Sequence, residues 1–205
     1  MSGRSKLLKV VLLGDGGVGK SSLMNRFVSN KFDSQSFHTI GVEFLNKDVT
    51  VNGDNYTMQI WDTAGQERFK SLRTPFYRGA DICMLTFAMD DRKSFENLPM
   101  WKREFLYYAD IQEGSPFPFI ILGNKVDMPN REVSDDVARS WCTKHGNVPY
   151  FETSAKDSIN VELAFTSAVS RFREMEDQLE IKQVHTTNSV DLSRKAKSSG
   201  VGCCS

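Results

Sequence analysis

Residues 7–21 read LLKVVLLGDGGVGKS, an apolar run that ends in a glycine-rich loop. The run from Leu7 to Leu13 is typical of a buried strand, and the residues from Lys20 to Val28 can form a helix. Between them, Gly14 to Ser21 matches the pattern G-x-x-x-x-G-K-[ST]. A strand before this pattern and a helix after it are the context in which it forms a phosphate-binding loop.

The residue types of this loop suit a bound phosphate. Glycines let backbone N–H groups surround an anion without Cβ clashes, and the start of a helix adds a partial positive charge. Lys20 can reach the β- and γ-phosphates, and the Ser21 hydroxyl is suited to ligate Mg²⁺. The alternative is a glycine-rich turn that only ends a strand, and the complete pattern in its expected context argues against it.

Strand-like and helix-like segments alternate along the rest of the chain. Predicted strands cover 7–13, 42–51, 56–61, 82–88, 117–122 and 150–153, and predicted helices cover 20–28, 91–108, 134–145 and 161–179. Asn52-Gly53-Asp54 predicts a tight hairpin, and Pro118 predicts that its strand starts late. This order indicates an α/β fold: a six-stranded, mostly parallel sheet with one antiparallel edge strand and helices on both faces.

Composition limits the functions open to the chain. Its 205 residues suggest one domain with a tail, and 26 basic residues balance 26 acidic ones, which argues against a protein that coats nucleic acid. No apolar run approaches the roughly 18 residues of a membrane-spanning helix, and the short apolar run near the N-terminus lacks a signal-peptide cleavage site. We therefore expect a cytosolic protein whose domain covers 1–180, followed by a flexible, polar tail at 181–205.

The four cysteines do not form a disulfide framework. Cys83 and Cys142 fall in a predicted strand and a predicted helix, and we expect them to be inert core thiols. Cys203 and Cys204, by contrast, lie side by side next to the last residue.

A second candidate segment, Ile60 to Glu67, reads IWDTAGQE and follows another predicted strand. Asp62 can hold Mg²⁺ through water opposite Ser21, and Gly65 can bring its N–H near a γ-phosphate. Gln66 is neutral and both donates and accepts hydrogen bonds, so it can orient a water beside phosphate without charge repulsion. A helix cap is the alternative for an isolated Asp-Thr pair.

These motifs, together with Asn124-Lys125-Val126-Asp127 and Ser154-Ala155-Lys156, resemble those of Ras-superfamily small GTPases, specifically the Rab family. The resemblance covers residues 5–180 and the end of the tail. It implies a small G domain of the P-loop NTPase class that binds GTP or GDP with Mg²⁺ and hydrolyses GTP. It also implies that the Asp127 carboxylate accepts hydrogen bonds from guanine N1–H and N2–H₂, which adenine cannot supply, and that Lys125 packs along the base. The Ser154-Ala155-Lys156 match implies backbone N–H support of the guanine O6.

The resemblance also assigns a role to Thr39, within HTIGVEF: its hydroxyl is expected to join Mg²⁺ and its N–H to meet the γ-phosphate. Phe32 matches an aromatic residue that stacks edge-on to guanine, and a core position is the alternative. The implied catalytic residues are Gln66, Lys20 and Thr39, and the implied metal site is Ser21, Thr39 and Asp62. The implied nucleotide contacts are Gly14, Asp15, Gly16, Gly17, Val18, Gly19, Lys20, Ser21, Ser22, Phe32, Ser34, His38, Thr39, Gly65, Asn124, Lys125, Asp127, Ser154, Ala155 and Lys156.

Three further stretches carry the resemblance to Rabs: IGVEFLN at 40–46, DTAGQERF at 62–69 and FYRGAD at 76–81. Phe44, Trp61 and Phe76 match an effector triad, the three aromatic residues through which Rabs display their nucleotide state. Core packing is the alternative for each, and we expect Trp61 to be partly exposed. The loop and switch sequences are most similar to the Rab-nine subgroup, which implies transport from late endosomes to the trans-Golgi. A Rab-seven-like role at late endosomes and lysosomes is the alternative.

The tail ends Gly202-Cys203-Cys204-Ser205, which does not fit the C-a-a-X prenylation signal. It resembles instead the paired cysteines of Rabs, which receive two geranylgeranyl groups, and two lipids are what stable anchoring requires. The basic residues Arg194, Lys195 and Lys197 lie just upstream and favour an anionic membrane surface. An unmodified tail is the alternative, because the final Ser205 departs from the common Cys-Cys ending.

The resemblance implies slow intrinsic hydrolysis, about 10⁻⁴ to 10⁻² per second, because no residue is obviously placed as an arginine finger. Expected partners are effectors that bind the GTP state, an exchange factor, an activating protein, a GDP-dissociation inhibitor, a Rab escort protein and a geranylgeranyl transferase; nucleic acid is not expected. The expected location is the cytosolic face of late-endosomal and trans-Golgi membranes, with cycling through the cytosol. An ATPase or kinase, and a nucleotide-locked scaffold without turnover, are the alternatives in other classes.

Overall fold

A computed structural model describes residues 5–34, 39–112 and 114–187, with side chains described as far as Ile181. Within these ranges, six strands form one sheet in the order β2-β3-β1-β4-β5-β6. The strands are β1 Lys6–Leu13, β2 Val42–Val51, β3 Asp54–Thr63, β4 Ile82–Ala88, β5 Phe119–Asn124 and β6 Tyr150–Glu152. The late start of β5, after Pro118, agrees with the prediction.

Strand β2 is the one antiparallel strand of the sheet in the described residues, and it lies at the edge. It pairs with β3 through a tight turn in which Asn52 and Gly53 have φ values of 52° and 87°. Positive φ at both positions is the backbone that a two-residue hairpin of this kind needs, and an Asn-Gly pair supplies it at low cost. The other pairs are parallel, so the predicted sheet is confirmed.

Helices cover both faces of the sheet. They are α1 Lys20–Ser29, α2 Lys70–Arg73, α3 Arg92–Glu96, α4 Leu98–Tyr108, α5 Asp135–Lys144 and α6 Val161–Thr187, with short 3₁₀ turns at Glu67–Phe69 and Thr74–Phe76. Because side chains alternate along a strand, Val10 of β1 packs in the core under α1 and α6, whereas Val11 packs in the core under α4. The rings of Phe27 and Phe165 join α1 to α6, with centroids 4.2 Å apart.

The predicted helix over 91–108 is two helices, which corrects the sequence interpretation. Asn97 ends α3 and begins α4, and Pro99 lies in the first turn of α4. Proline has no N–H to donate to the carbonyl four residues earlier, so a continuous helix is interrupted here. The apolar stripe nevertheless holds, because Trp101 and Phe105 are buried.

Helix α6 is longer than predicted: it continues past Leu179 to Thr187. Residues 180–187 contain neither Gly nor Pro, so nothing in the sequence breaks the helix where the apolar pattern fades. The first residues assigned to the tail are therefore helical, and 188–205 lie outside the described residues. No helix in the described part of the chain is both long and apolar enough to cross a membrane.

Cys83 and Cys142 are buried and free, as predicted for core thiols. Burial raises the pKa of Cys142 to about 11 and that of Cys83 well above its usual value. Both thiols therefore stay protonated at neutral pH and carry little reactivity.

Candidate active site

A cavity of about 410 Å³ opens at the edge of the sheet where β1, β3 and β5 end. Ligands of parallel α/β sheets bind at this carboxyl edge. The cavity is lined by Gly16, Gly17, Gly19, Lys20, Ser21, Ser22, Phe32, Asp33, Ser34, Thr39, Gly65, Gln66, Asn124, Lys125, Asp127, Met128, Ala155 and Lys156. Segments far apart in sequence thus meet around one space.

The loop after β1 encloses a buried lysine. Lys20 Nζ donates hydrogen bonds to the carbonyls of Gly14 at 2.9 Å and Asp15 at 2.8 Å. Burial lowers the pKa of Lys20 to about 8, although the Asp62 and Asp15 carboxylates act in the opposite direction. Gly19 begins α1 with φ 95°, and a Cβ there would lie 2.3 Å from the Asn124 side chain. The loop therefore surrounds a cation and has no room for a side chain at Gly19.

Two hydroxyls converge on one carboxylate beside this loop. Ser21 Oγ donates to Asp62 Oδ2 at 2.5 Å, and Thr39 Oγ1 donates to the same oxygen at 3.2 Å. The two hydroxyl oxygens lie 2.8 Å apart. The other carboxylate oxygen, Asp62 Oδ1, is buried and has no hydrogen-bond partner among the described residues. Burial raises the pKa of Asp62, and the nearby Lys20 and the hydroxyl donors oppose that rise.

The segment after β3 lies against the phosphate loop. A Cβ added to Gly65 would lie 2.3 Å from the main-chain carbon of Asp15, so only glycine allows this approach. The side chain of Gln66 faces Gly16, because its Cγ lies 3.2 Å from a Cβ built there. Gln66 Oε1 accepts a hydrogen bond from Arg68 Nε at 2.7 Å. Gly65 and Gln66 are thus held next to the loop that the sequence assigns to phosphate.

The segment after β5 presents a carboxylate to the cavity. Asp127 Oδ1 accepts a hydrogen bond from Ser154 Oγ at 2.6 Å, and Lys156 Nζ lies 4.0 Å from Asp127 Oδ2. Lys125 has φ 68°, and its Nζ lies 3.7 Å from Asp90 Oδ1. Ser154 thus holds the carboxylate of Asp127, a residue that lines the cavity.

Asn124 connects two parts of the site. Its Nδ2 donates to the Val18 carbonyl at 2.9 Å, and its Oδ1 accepts from Thr153 Oγ1 and from the Ala155 N–H, each at 3.3 Å. The side chain is buried, and its described hydrogen bonds all go to protein groups. Asn124 therefore fixes the phosphate loop relative to the segment around Ala155.

Several predicted contact residues lie behind the cavity wall. The Asp15 carboxylate faces away and accepts hydrogen bonds from Trp101 Nε1 at 2.6 Å and Asn97 Nδ2 at 2.7 Å. Val18 is buried, and Gly14 and Ser154 act through the bonds to Lys20 and Asp127 given above. His38 lies outside the described residues.

Some residues that shape the site were not predicted from the sequence, among them Asp33, Met128 and Arg26. Asp33 and Met128 line the cavity. Arg26, on α1, donates to the carbonyls of Ala155 at 2.7 Å and Lys156 at 2.9 Å. A single arginine within a helix belongs to no motif, and its partners lie 129 and 130 residues away, so no local pattern could have indicated it.

The three aromatic residues of the predicted triad form a continuous stack. The centroids of Phe44 and Trp61 lie 4.8 Å apart, and those of Trp61 and Phe76 lie 5.2 Å apart. Trp61 is half-buried, as expected, and Phe44 is 49% exposed. The stack therefore presents an apolar surface, and its role toward effectors stays a prediction.

A glycine-rich loop around a buried lysine, at the carboxyl edge of a parallel sheet and beside a hydroxyl–carboxylate cluster, defines a P-loop nucleotide-binding domain. Residues 9–174 match the model of the Ras family. Over 204 residues the chain is 62% identical to "Ras-related protein Rab-9B" of Mus musculus and to "Ras-related protein Rab-9A" of Homo sapiens, covering 100% of both chains in each case. It is 49% identical over 206 residues to "Ras-related protein Rab7" of Cenchrus ciliaris, covering 99% of each. The chain belongs to the Ras family and, within it, to the Rab small GTPases.

This membership confirms the central predictions. The protein binds guanine nucleotide, hydrolyses GTP and acts in vesicle trafficking at membranes. Its general partners are those of Rabs: effectors, exchange factors, activating proteins and GDP-dissociation inhibitors. An ATPase or kinase, which would share only the phosphate loop, is thereby excluded.

Proposed function

We propose that this Rab protein is a Mg²⁺-dependent GTP/GDP switch that directs transport from late endosomes to the trans-Golgi. The observation that supports the switch most directly is the convergence of Ser21, Thr39 and Asp62 at the edge of the cavity. Ser21 belongs to the phosphate loop and Thr39 to the segment before β2, so a ligand between them couples that segment to the nucleotide. The transport step rests on the similarity to Rab-9 proteins.

The residues at this point suit a hard divalent cation. Mg²⁺ prefers oxygen ligands and keeps several waters. Ser21 and Thr39 would supply hydroxyl oxygens, and Asp62 would act through water. Asp62 Oδ1 is buried and has no hydrogen-bond partner among the described residues. It could accept a hydrogen bond from such a water. When bound, Mg²⁺ would neutralise charge on the β- and γ-phosphates.

The chain's own groups then carry the reaction. Lys20 exchanges its carbonyl partners for phosphate oxygens, and the loop N–H groups bind the remaining oxygens. Gln66 orients a water for in-line attack on the γ-phosphate, and the Gly65 N–H binds a γ-phosphate oxygen. Asp127 pairs with guanine, with Lys125 along the base and the segment at Ala155 beside its O6. Without an arginine finger, intrinsic turnover is slow, about 10⁻⁴ to 10⁻² per second, and an activating protein accelerates it.

Loss of the γ-phosphate changes the surface that effectors meet. Thr39 and Gly65 each lose a partner, and the segments that carry them relax. The triad of Phe44, Trp61 and Phe76 lies on β2, β3 and the turn after α2, so it senses both segments. Effectors distinguish the two states because they bind the GTP form more tightly than the GDP form.

The tail completes the cycle. Cys203 and Cys204 are proposed to receive geranylgeranyl groups from a transferase that acts with a Rab escort protein. Two lipids give stable anchoring, which a single chain does not, and Arg194, Lys195 and Lys197 add attraction to anionic lipid. A GDP-dissociation inhibitor then returns the GDP form to the cytosol.

Replacing Ser21 by Asn tests the metal site. The amide cannot serve as the hydroxyl ligand, so the affinity for GTP in Mg²⁺ is expected to fall far more than the affinity for GDP. Nucleotide competition with and without EDTA measures this, with Ser29→Asn, at the exposed end of α1, as the control. Equal losses for GTP and GDP, or a loss that persists in EDTA, would contradict the proposal.

Imaging of tagged protein in cells tests the location. Wild-type protein is expected on late-endosomal and trans-Golgi membranes, and Cys203→Ser with Cys204→Ser is expected to be cytosolic. The single Cys203→Ser and Cys204→Ser variants separate one lipid from two. Membrane binding by the double variant would refute lipid anchoring, and accumulation on lysosomes alone would favour the Rab-seven-like role.

A further inference from the structure

We propose that Arg73 is a positioning residue for GTP hydrolysis, because it fixes the main chain on both sides of Gly65 against the phosphate loop. The inference deepens the proposed function and rests on its assignment of Gly65 and Gln66. Arg73 belongs to none of the motifs discussed above, and it is 2% exposed although it lies on the short helix α2.

The guanidinium binds the carbonyls that flank Gly65. Arg73 Nη1 donates to the Gln66 carbonyl at 2.8 Å and to the Ala64 carbonyl at 3.3 Å. In a trans peptide, a carbonyl and the next N–H point in opposite directions. Holding the Ala64 carbonyl therefore turns the Gly65 N–H away from Arg73, and this is the N–H assigned to the γ-phosphate. Holding the Gln66 carbonyl fixes the backbone from which the Gln66 side chain extends.

The Arg73 guanidinium is itself bound by Glu104 on α4 and by Tyr77. Its Nη2 lies 3.0 Å from Glu104 Oε1, and its Nε donates to that oxygen and to the Tyr77 hydroxyl, each at 3.1 Å. The side chains of Arg73 and Glu104 are 3% and 5% exposed. Desolvation offsets much of the attraction in such a buried pair, so its net contribution to stability is small. Its geometry is nevertheless specific, because the planar fork of arginine meets several acceptors at once.

The same guanidinium connects to the phosphate loop. Arg73 Cζ lies 4.5 Å from the centre of the Trp101 ring, and Trp101 Nε1 donates to the loop carboxylate Asp15. Asn97 binds the other oxygen of Asp15. Helix α4 and the residue before it thus hold the phosphate loop through Asp15 and the segment from Ala64 to Gln66 through Arg73. This shared support sets the distance between the two.

Arg73→Lys tests the inference, because lysine keeps the charge and loses the fork. The single-turnover rate of GTP hydrolysis is expected to fall about tenfold, since small displacements of catalytic groups cost at least that much. The affinity for GDP, which has no γ-phosphate, is expected to stay within about twofold, because the base and metal contacts are untouched. Arg78→Lys is the matched control, since Arg78 pairs with Asp110 at the surface. An unchanged rate in Arg73→Lys would overturn the inference.

Tyr77→Phe is a milder second variant, which keeps the guanidinium and removes one of its partners. Its rate is expected to fall by about two- to threefold, with its melting temperature measured in parallel. If the variant has a normal rate but a lower melting temperature, the hydrogen bonds among Arg73, Tyr77 and Glu104 serve stability alone. That result would overturn the inference.

A double-mutant cycle with Gln66→Leu separates the inference from its premise. If Arg73 acts through this segment, Arg73→Lys costs less in the Gln66→Leu background than in the wild type. Equal fold-losses in both backgrounds would overturn the positioning role while leaving Gln66 catalytic. A normal rate in Gln66→Leu alone would overturn the proposed role of Gln66 and, with it, this inference.

Discussion

Lys20 and Asp62 are opposite charges buried at one edge of the sheet, and burial favours the neutral form of each. It lowers the pKa of Lys20 to about 8 and raises that of Asp62. Phosphate oxygens beside the lysine and a divalent cation beside the carboxylate reverse both effects, because each favours the charged form. The nucleotide-free protein is destabilised by the desolvation of these two charges. Part of the nucleotide affinity therefore comes from removing this unfavourable desolvation energy.

The lowered pKa of Lys20 predicts that the stability of the nucleotide-free protein depends on pH. An unfolded chain keeps the Lys20 pKa near 10.5, so between pH 8 and 10.5 it binds more protons at this position than the folded protein does. The unfolding free energy of nucleotide-free protein should therefore rise between about pH 7 and pH 9.5, by about 2 kcal/mol relative to Lys20→Met. Urea denaturation of both proteins measures the difference. A gap that does not change with pH would show that Lys20 keeps its ordinary pKa.

A larger side chain at position 16 is predicted to displace the side chain of Gln66. A Cβ at Gly16 would lie 3.2 Å from Gln66 Cγ, and the two methyl groups of valine would extend further. Gly16→Val is expected to slow GTP hydrolysis about tenfold or more while nucleotide binding is retained. Gly16→Ala is the graded control, because the glutamine can yield by a few tenths of an ångström. Equal rates in both variants and the wild type would show that Gln66 does not work from this position.

At the scale of elements, the predictions that succeeded rest on local signals. Continuous apolar runs indicated β1, β4 and β5, and alternating apolar residues indicated β2 and β3. The pair Asn52-Gly53 indicated the hairpin. The break between α3 and α4 was missed because the apolar stripe continues across Pro99, although the proline itself was visible. The end of α6 was placed too early because the hydrophobic pattern fades before the helix does.

Helix α1 carries a prediction of its own through Arg26. The guanidinium binds the carbonyls of Ala155 and Lys156, so it ties the helix after the phosphate loop to the segment beside the base. Arg26→Ala is expected to speed GDP release about tenfold, since this segment loses its anchor. Release of a fluorescent GDP analogue measures this, and Arg171→Ala is the control, because Arg171 pairs with Glu174 on α6. Similar release rates in the two variants would count against an anchoring role.

At the scale of the whole molecule, the parallel sheet explains why the segments that carry the motifs meet around one cavity. Strands β1, β3 and β5 end at one edge, so the motifs that follow them meet there in any fold of this class. What motifs could not indicate is the support behind the cavity wall. Arg26, Arg73 and Thr153 are single residues whose partners depend on tertiary packing, and no spacing in the sequence identifies them.

We propose that the cavity hydrolyses GTP through Gln66 and so acts as a timed switch. Release of phosphate from GTP-loaded protein under single-turnover conditions in Mg²⁺ tests it most directly, with wild type and Gln66→Leu side by side. The wild type should release phosphate at about 10⁻⁴ to 10⁻² per second. Gln66→Leu should be at least about tenfold slower, with GTP and GDP affinities unchanged. Equal rates in the two proteins, or no release of phosphate from the wild type, would contradict the proposed role of Gln66 in a GTP-hydrolysing switch.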